Sequence, residues 1–295
     1  MPSMIPARFI EPDLSLAELA EPNEKLGCPV FSGGRAIQAG ESLLGRNRIF
    51  DEIWQRWNET PLACEDQCSA RYYFDLVQTL RDFNGEFDHV VEVGCYMGGA
   101  TSILAGCMDR FDFTLDIVDL SASYLRYAYE RARRMYPEAA GRIRLFHGDL
   151  PAYVRHVMLT EAPRRTVVHH DGAHHFEIVV KDLAALSFAR EQLHAIIAQD
   201  THLRGTAKYM NFVDMALYAV FGTDLSYAPI GSVYDEYDPV TQPNMYQGNY
   251  FTPGAAEGFV LPMNCNEFRY PHPLLSIDEF LPAPHEDASP LDQAA

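Results

Sequence analysis

The chain has 295 residues, of which 47% are hydrophobic and 22% charged, and it carries a formal net charge of −18. That length suits one large buried core, and the strong acidity excludes broad contact with nucleic acid or with an anionic membrane surface. No apolar run approaches the roughly 20 residues that a membrane-spanning helix needs, and residues 1–8 lack the pattern of a secretory signal.

Six scattered cysteines, Cys28, Cys64, Cys68, Cys95, Cys107 and Cys265, read as reduced thiols of a cytoplasmic protein. Residues 1–40, rich in Pro, Gly and Glu, read as an extended arm or lid. Arg46 to Trp57 has helical spacing, with Ile49, Phe50, Ile53, Trp54 and Trp57 on one side. A second helix is predicted from about Gln67 to Phe83, with Tyr72, Leu76, Leu80 and Phe83 on its face. Cys64 and Cys68 would stand at i,i+4 spacing there, but zinc needs two further ligands and none is evident, so their reading is structural. These segments make residues 1–85 an N-terminal arm with helices, a lid or an interface.

From His89 strands and helices alternate. Strands are predicted at Val90–Val93, Phe113–Val118, Ile143–Phe146, Thr166–His169 and Ala195–Ala198. Helices are predicted at Gly98–Met108, Ala122–Met135, Pro151–Met158, Phe176–Ala189 and Ala207–Phe221. Such alternation implies a Rossmann-like, doubly wound α/β sheet, mostly parallel, in a domain over 86–281. An aromatic stretch follows near 225–255, with Tyr227, Tyr234, Tyr237, Tyr246, Tyr250 and Phe251, a candidate wall of an acceptor pocket. Gly258–Leu261 would return as part of a C-terminal antiparallel hairpin, and residues 282–295 read as a disordered tail.

Ligands of such sheets sit beyond the carboxyl ends of the strands. Each predicted strand ends in polar groups: Glu92 with Gly94, Gly98 and Gly99; Asp119; His147-Gly148-Asp149; His169-His170-Asp171-Gly172-Ala173-His174; and Gln199-Asp200-Thr201-His202. Any one of these reads as a loop carboxylate or a helix cap. Their convergence on one edge is harder to explain in that way. A dinucleotide site would need G-x-G-x-x-G, whereas the glycines here are Gly94, Gly98 and Gly99, with Tyr96 and Met97 between. Glu92 just before the turn would repel a pyrophosphate and suits a cationic cofactor.

On Val91-Glu92-Val93-Gly94 with Gly98-Gly99, Asp119, Gly148-Asp149, Asp171-Gly172-Ala173-His174 and Gln199-Asp200, the chain resembles the class I S-adenosylmethionine-dependent methyltransferases. More narrowly, it is similar to the metal-dependent sugar O-methyltransferases of macrolide biosynthesis and their relatives, including proteins labelled cephalosporin hydroxylase, over about residues 86–222. The resemblance implies O-methylation of a small-molecule acceptor such as a natural product or sugar. It places Glu92 and Gly94 at the methionine end of S-adenosylmethionine, Asp119 on the ribose and Asp149 on the adenine amine, with Tyr96 and Gly98 also among the cofactor-binding residues. It implies Mg²⁺ held by Asp171 and Asp200, with Gln199 standing where the family usually has an acidic or amide residue. His174 would be the general base, taking the proton of a hydroxyl whose pKa the cation lowers. The resemblance also implies a homo-oligomer, the arms serving as interface.

Two other readings compete. His169-His170-Asp171 fits the His-x-Asp pair of iron/2-oxoglutarate oxygenases, with His202 or His272 as the distal ligand, although that chemistry belongs to an all-β fold. A non-catalytic cofactor-binding protein would tolerate a neutral Gln199.

Overall fold

A computed structural model describes residues 6–30, 36–66, 68–204, 211–234, 250–271 and 275–280. The strands, in chain order, are β1 (Arg8–Ile10), β2 (His89–Val93), β3 (Thr114–Asp119), β4 (Ile143–His147), β5 (Thr166–His170), β6 (Leu193–Gln199), β7 (Leu203–Arg204), β8 (Ala228–Val233), β9 (Tyr250–Phe251) and β10 (Ala256–Pro262). The α-helices are α1 (Pro22–Leu26), α2 (Arg48–Glu59), α3 (Ala70–Asp82), α4 (Gly99–Phe111), α5 (Ala122–Met135), α6 (Leu150–Tyr153), α7 (Phe176–Leu186), α8 (Val213–Phe221) and α9 (Ile277–Phe280).

Eight strands form one sheet in the order β1-β4-β3-β2-β5-β6-β10-β8, and β7 pairs separately with β9. The five predicted strands, β2 to β6, pair in parallel. The predicted C-terminal return is β10, antiparallel to both β6 and β8. From β2 the chain steps outward through β3 and β4, then returns to place β5 on the other side of β2. The order therefore reverses at β2, and a crevice opens beyond the carboxyl ends of β2 and β5.

Residues that alternate along each strand fill two separate cores, as a sheet covered on both faces requires. Val90, Leu115, Ile117, Val167 and Ile197 pack with Phe50, Ile53, Tyr72, Ile103 and Leu125 from α2 to α5. Val91, Val118, Val168, Ile196 and Ala198 pack with Leu150, Val179, Leu183, Val213 and Leu217 from α6 to α8. The predicted helix at Ala122–Met135 matches α5, whose Ser121 side chain accepts from Tyr124 N–H at 3.3 Å. The predicted helix at Pro151–Met158 is a single α turn, α6, running into a π-helical turn at Val154–Met158. The predicted helix from Ala207 is seen from Val213 onward, and 205–210 lie outside the described residues.

Two features depart from the sequence reading. Part of the N-terminal arm is a strand: β1 extends the sheet antiparallel to β4, pairing Phe9 with Phe146. Three residues are too few for an alternating pattern to show. Cys64 and Cys68 lie in the irregular segment before α3, not on a helix; both are buried free thiols. Tyr237, Tyr246, His272 and residues 282–295 lie outside the described residues. No helix among the described residues is long and apolar enough to cross a membrane.

The segment before α3 is fastened by a buried ion pair. Arg131 on α5 donates to Asp66 Oδ1 at 3.1 Å and to Met97 O at 2.7 Å, and its guanidinium lies 4.2 Å from the Trp57 ring centroid. Removing one member of such a pair strands a charge in a low-dielectric site. Arg131→Met should lower the free energy of unfolding by about 3–5 kcal/mol, read as a shift in denaturant midpoint, and adding Asp66→Asn should recover part of the loss.

Candidate functional site

A cleft of about 880 Å³ lies beyond the carboxyl ends of β2, β3, β5 and β6. Its described lining includes eight carboxylates against one lysine, Lys181, so its field suits a cationic ligand and opposes a pyrophosphate. Glu92, Gly94, Tyr96, Asp119, Asp149, Asp171, His174, Gln199 and Asp200 all line it.

The turn after β2 is set by its neighbour. Gly94 has φ 81, and a Cβ there would lie 2.2 Å from Asp171 O and 2.6 Å from Gly172 Cα. The Asp171 N–H donates to Val93 O at 2.8 Å, drawing the loop after β5 across the glycine. Gly94 is thus required by the β2–β5 crossing itself. Gly98 departs from its expected role, since it does not line the cleft. It begins α4 with φ 73, donates its N–H to Cys95 O at 2.7 Å, and would place a Cβ 2.8 Å from Ala128 Cα on α5. Gly99 takes its place at the cleft.

Glu92 is fully buried. Its Oε2 accepts from Thr101 Oγ1 at 2.7 Å, while Oε1 has no hydrogen-bond partner. Burial, reinforced by Asp171 and Asp119 and opposed by Thr101, pushes its carboxyl up to about 8. An unpartnered buried carboxylate oxygen facing a cleft fits a ligand ammonium.

Asp119 accepts from Cys95 N–H at 3.0 Å and from Ser121 N–H at 2.7 Å, so it braces the glycine turn at the edge of the cleft. Asp149 caps α6 through Ala152 N–H at 2.9 Å and lies 3.9 Å from Lys181 Nζ. Tyr96, at φ 42, donates its hydroxyl to Glu65 Oε1 at 2.5 Å and packs 5.2 Å from the Tyr124 ring. Glu65, Asp66, Cys68 and Tyr73 form a wall that the sequence reading missed. They follow no periodic pattern, and only the acidic pair Glu65-Asp66 ahead of a helix could have drawn attention to them.

At the far end, Asp171, His174 and Asp200 converge, with one ligand atom from each lying within 4.8 Å of the others. His174 Nε2 stands 3.1 Å from Asp200 Oδ2 and 3.6 Å from Asp171 Oδ1. Burial and Asp200 raise the Asp171 carboxyl despite the opposing imidazole. Burial acts against charge on His174, but Asp200 and Asp171 outweigh it and raise its pKa. Asp200 ends β6 in the left-handed region, φ 61, a backbone state rare outside glycine and often found at functional sites. Gln199 lines the cleft, and its amide nitrogen lies 3.5 Å from Cys68 Sγ.

Three other histidines lie near this strand edge. His169 Nε2 lies 2.9 Å from the Tyr72 hydroxyl, and burial depresses the imidazole to about 3. His170 Nε2 lies 3.1 Å from Asp182 Oδ2 on α7, which ties both ends of the 171–175 loop. His202 stacks on Tyr234 with ring centroids 5.6 Å apart, its Nδ1 stands 3.9 Å from Asp200 Oδ1, and burial lowers it to about 4. The His-x-Asp oxygenase reading is not favoured. His169 is committed to Tyr72 and does not join the Asp171 cluster, and the scaffold is a doubly wound parallel sheet.

No protein family and no curated protein matches the chain. Solved structures that match include an O-methyltransferase from Bacillus cereus in complex with S-adenosylhomocysteine, at 14% identity over 77% of this chain and 94% of that one, TM-score 0.45. Another is the O-methyltransferase TomG from Streptomyces achromogenes, involved in tomaymycin synthesis and bound to S-adenosylmethionine, at 14% identity over 77% and 93% of the two chains, TM-score 0.46. These scores carry no argument about activity, which must come from the cleft.

The raised Glu92 carboxyl makes stability depend on pH with a definite sign. The folded protein holds this proton to about pH 8, whereas the unfolded chain releases it near its ordinary value of 4.5. Glu92's contribution is therefore fully present below that ordinary value and is lost as pH rises toward 8. Relative to Glu92→Gln, the wild type should lose on the order of a few kcal/mol between pH 5 and 8, and thermal melts of both proteins across that range would show the gap widen.

Proposed function

We propose that this protein is an S-adenosylmethionine-dependent methyltransferase acting on a hydroxyl oxygen of a small molecule, with a divalent cation beside the acceptor. The observation that carries the reading is Glu92, a buried carboxylate with a free oxygen in an acidic cleft at the point where strand order reverses. S-adenosylmethionine supplies an electrophilic methyl on a sulfonium, and a divalent cation lowers the pKa of an acceptor hydroxyl.

In this reading Glu92 receives the ammonium of the donor, and the backbone turn at Gly94 allows close approach. Asp119 keeps lone pairs for ribose hydroxyls while its other bonds hold the Cys95 and Ser121 amides. Asp149 and Leu150 border the adenine end. Asp171 and Asp200 would hold the cation where β5 and β6 end; the acceptor hydroxyl beside them would give its proton to solvent as its oxygen takes the donor methyl and S-adenosylhomocysteine leaves. The segment bearing Glu65, Asp66 and Tyr73 closes one side against water.

Titration calorimetry at pH 7 in buffers of different ionisation enthalpy tests this. S-adenosylmethionine should bind with release of nearly one proton, because Glu92, neutral in the free protein, ionises against the ammonium. Glu92→Gln should weaken binding about 10- to 100-fold and abolish the proton release. Asp171→Ala should leave donor affinity within about threefold of wild type while removing divalent-cation binding. Binding of NADH or 2-oxoglutarate, with none of S-adenosylmethionine, would end the reading.

A further inference from the structure

We infer that His174 is the third ligand of the cation, and that the Asp171–His174–Asp200 site selects a first-row transition ion over Mg²⁺. The inference rests on the metal-assisted reading above. It displaces the general-base role that the motif suggests for His174, since one nitrogen lone pair cannot both coordinate an ion and accept a proton.

Three observations support it. The first is spacing. Two donor atoms bound at about 2.1 Å and set roughly 90–110° apart around one ion are separated by about 3.0–3.4 Å. His174 Nε2 lies 3.1 Å from one carboxylate oxygen of Asp200, inside that range, and 3.6 Å from one of Asp171, about 0.2 Å beyond it. The second is the state of that nitrogen. Nε2 is shielded from solvent and, although close to two carboxylates, makes a well-aligned hydrogen bond to neither. The third is the fourth neighbour. Gln199 brings a neutral amide, with its nitrogen toward Cys68, so the charged donors number two and the donors beside them are imidazoles, His174 within the cluster and His202 with its Nδ1 3.9 Å from Asp200 Oδ1.

The donor set determines the ion. Mg²⁺ favours oxygen donors and retains several waters. An imidazole nitrogen adds little to its binding but strengthens binding of Mn²⁺, Fe²⁺, Co²⁺, Ni²⁺ and Zn²⁺, increasingly along that series up to copper. Two carboxylate oxygens and one imidazole at a strand edge therefore make a mixed O,O,N site with open positions facing the cleft.

The test uses tag-free, metal-stripped full-length protein with Co²⁺ and Mg²⁺ as probes. Co²⁺ should bind one equivalent with visible d–d absorption and at least about 100-fold more tightly than Mg²⁺. His174→Asn should weaken Co²⁺ about 100-fold or more while changing Mg²⁺ affinity less than threefold, with His174→Ala as a second variant. S-adenosylmethionine affinity, measured on every variant, reports that the fold is intact. Equal affinity for both ions, or Co²⁺ binding unmoved by both substitutions, would overturn the inference. Intact donor binding with no cation bound would overturn it and leave methyl transfer standing. Loss of donor binding in the wild type would instead overturn the reading on which it rests.

Discussion

The cleft depends on a contact between two backbones. The chain leaving β2 and the chain leaving β5 pass so closely that a single added carbon on Gly94 would lie 2.2 Å from the Asp171 carbonyl oxygen. The adjacency is enforced from within the sheet, where Val93 pairs with His170 and Val93 O receives the Asp171 N–H. With no side chain between them, the two loops diverge only after the crossing. One loop then carries Glu92's neighbours toward the start of α4, and the other carries Asp171 and His174 toward α7. The Glu92 end of the cleft and its Asp171–His174 end are two sides of this crossing.

The electrostatics follow from the same geometry. Parallel strands end together, so carboxylates at their ends are brought within one low-dielectric space. Some find partners internally: Asp66 in an ion pair with Arg131, Asp182 in a hydrogen bond with His170, Asp149 within reach of Lys181. Glu92 is not, and it remains buried with one oxygen unpaired. Desolvating such a group costs several kcal/mol unless it is protonated or meets a cation. Asp171, His174 and Asp200 meet a similar difficulty by sharing charge among three groups. Both ends of the cleft are thus arranged for positive charge to arrive, which is why a phosphate-bearing dinucleotide fits poorly.

Much of this was legible in the residues. Alternating apolar strands and amphipathic helices defined β2 to β6 and α5, and the polar strand ends defined most of the cleft. Glu92 before a glycine turn carried its electrostatic meaning in the sequence. What was not legible had no period to betray it. β1 is three residues long, and Glu65-Asp66 lies in an irregular segment whose place at the cleft is due to Arg131 on a helix far along the chain. Gly98 looks like Gly94 in the sequence, yet it faces α5 and not the cleft. His170 and His174 differ only in direction: one points to Asp182 inside the fold, the other to Asp200 across the sheet.

By itself the sequence determined which elements form and which chemical groups they carry at their ends, because helix and strand periods and turn residues are local properties of the chain. Only the tertiary structure decided which of those groups meet. Strand order, helix packing and the direction of each side chain are settled by burial against residues far away in sequence. That is how a histidine assigned to proton transfer came to stand between two carboxylates, and how an unremarked acidic pair became a wall of the cleft.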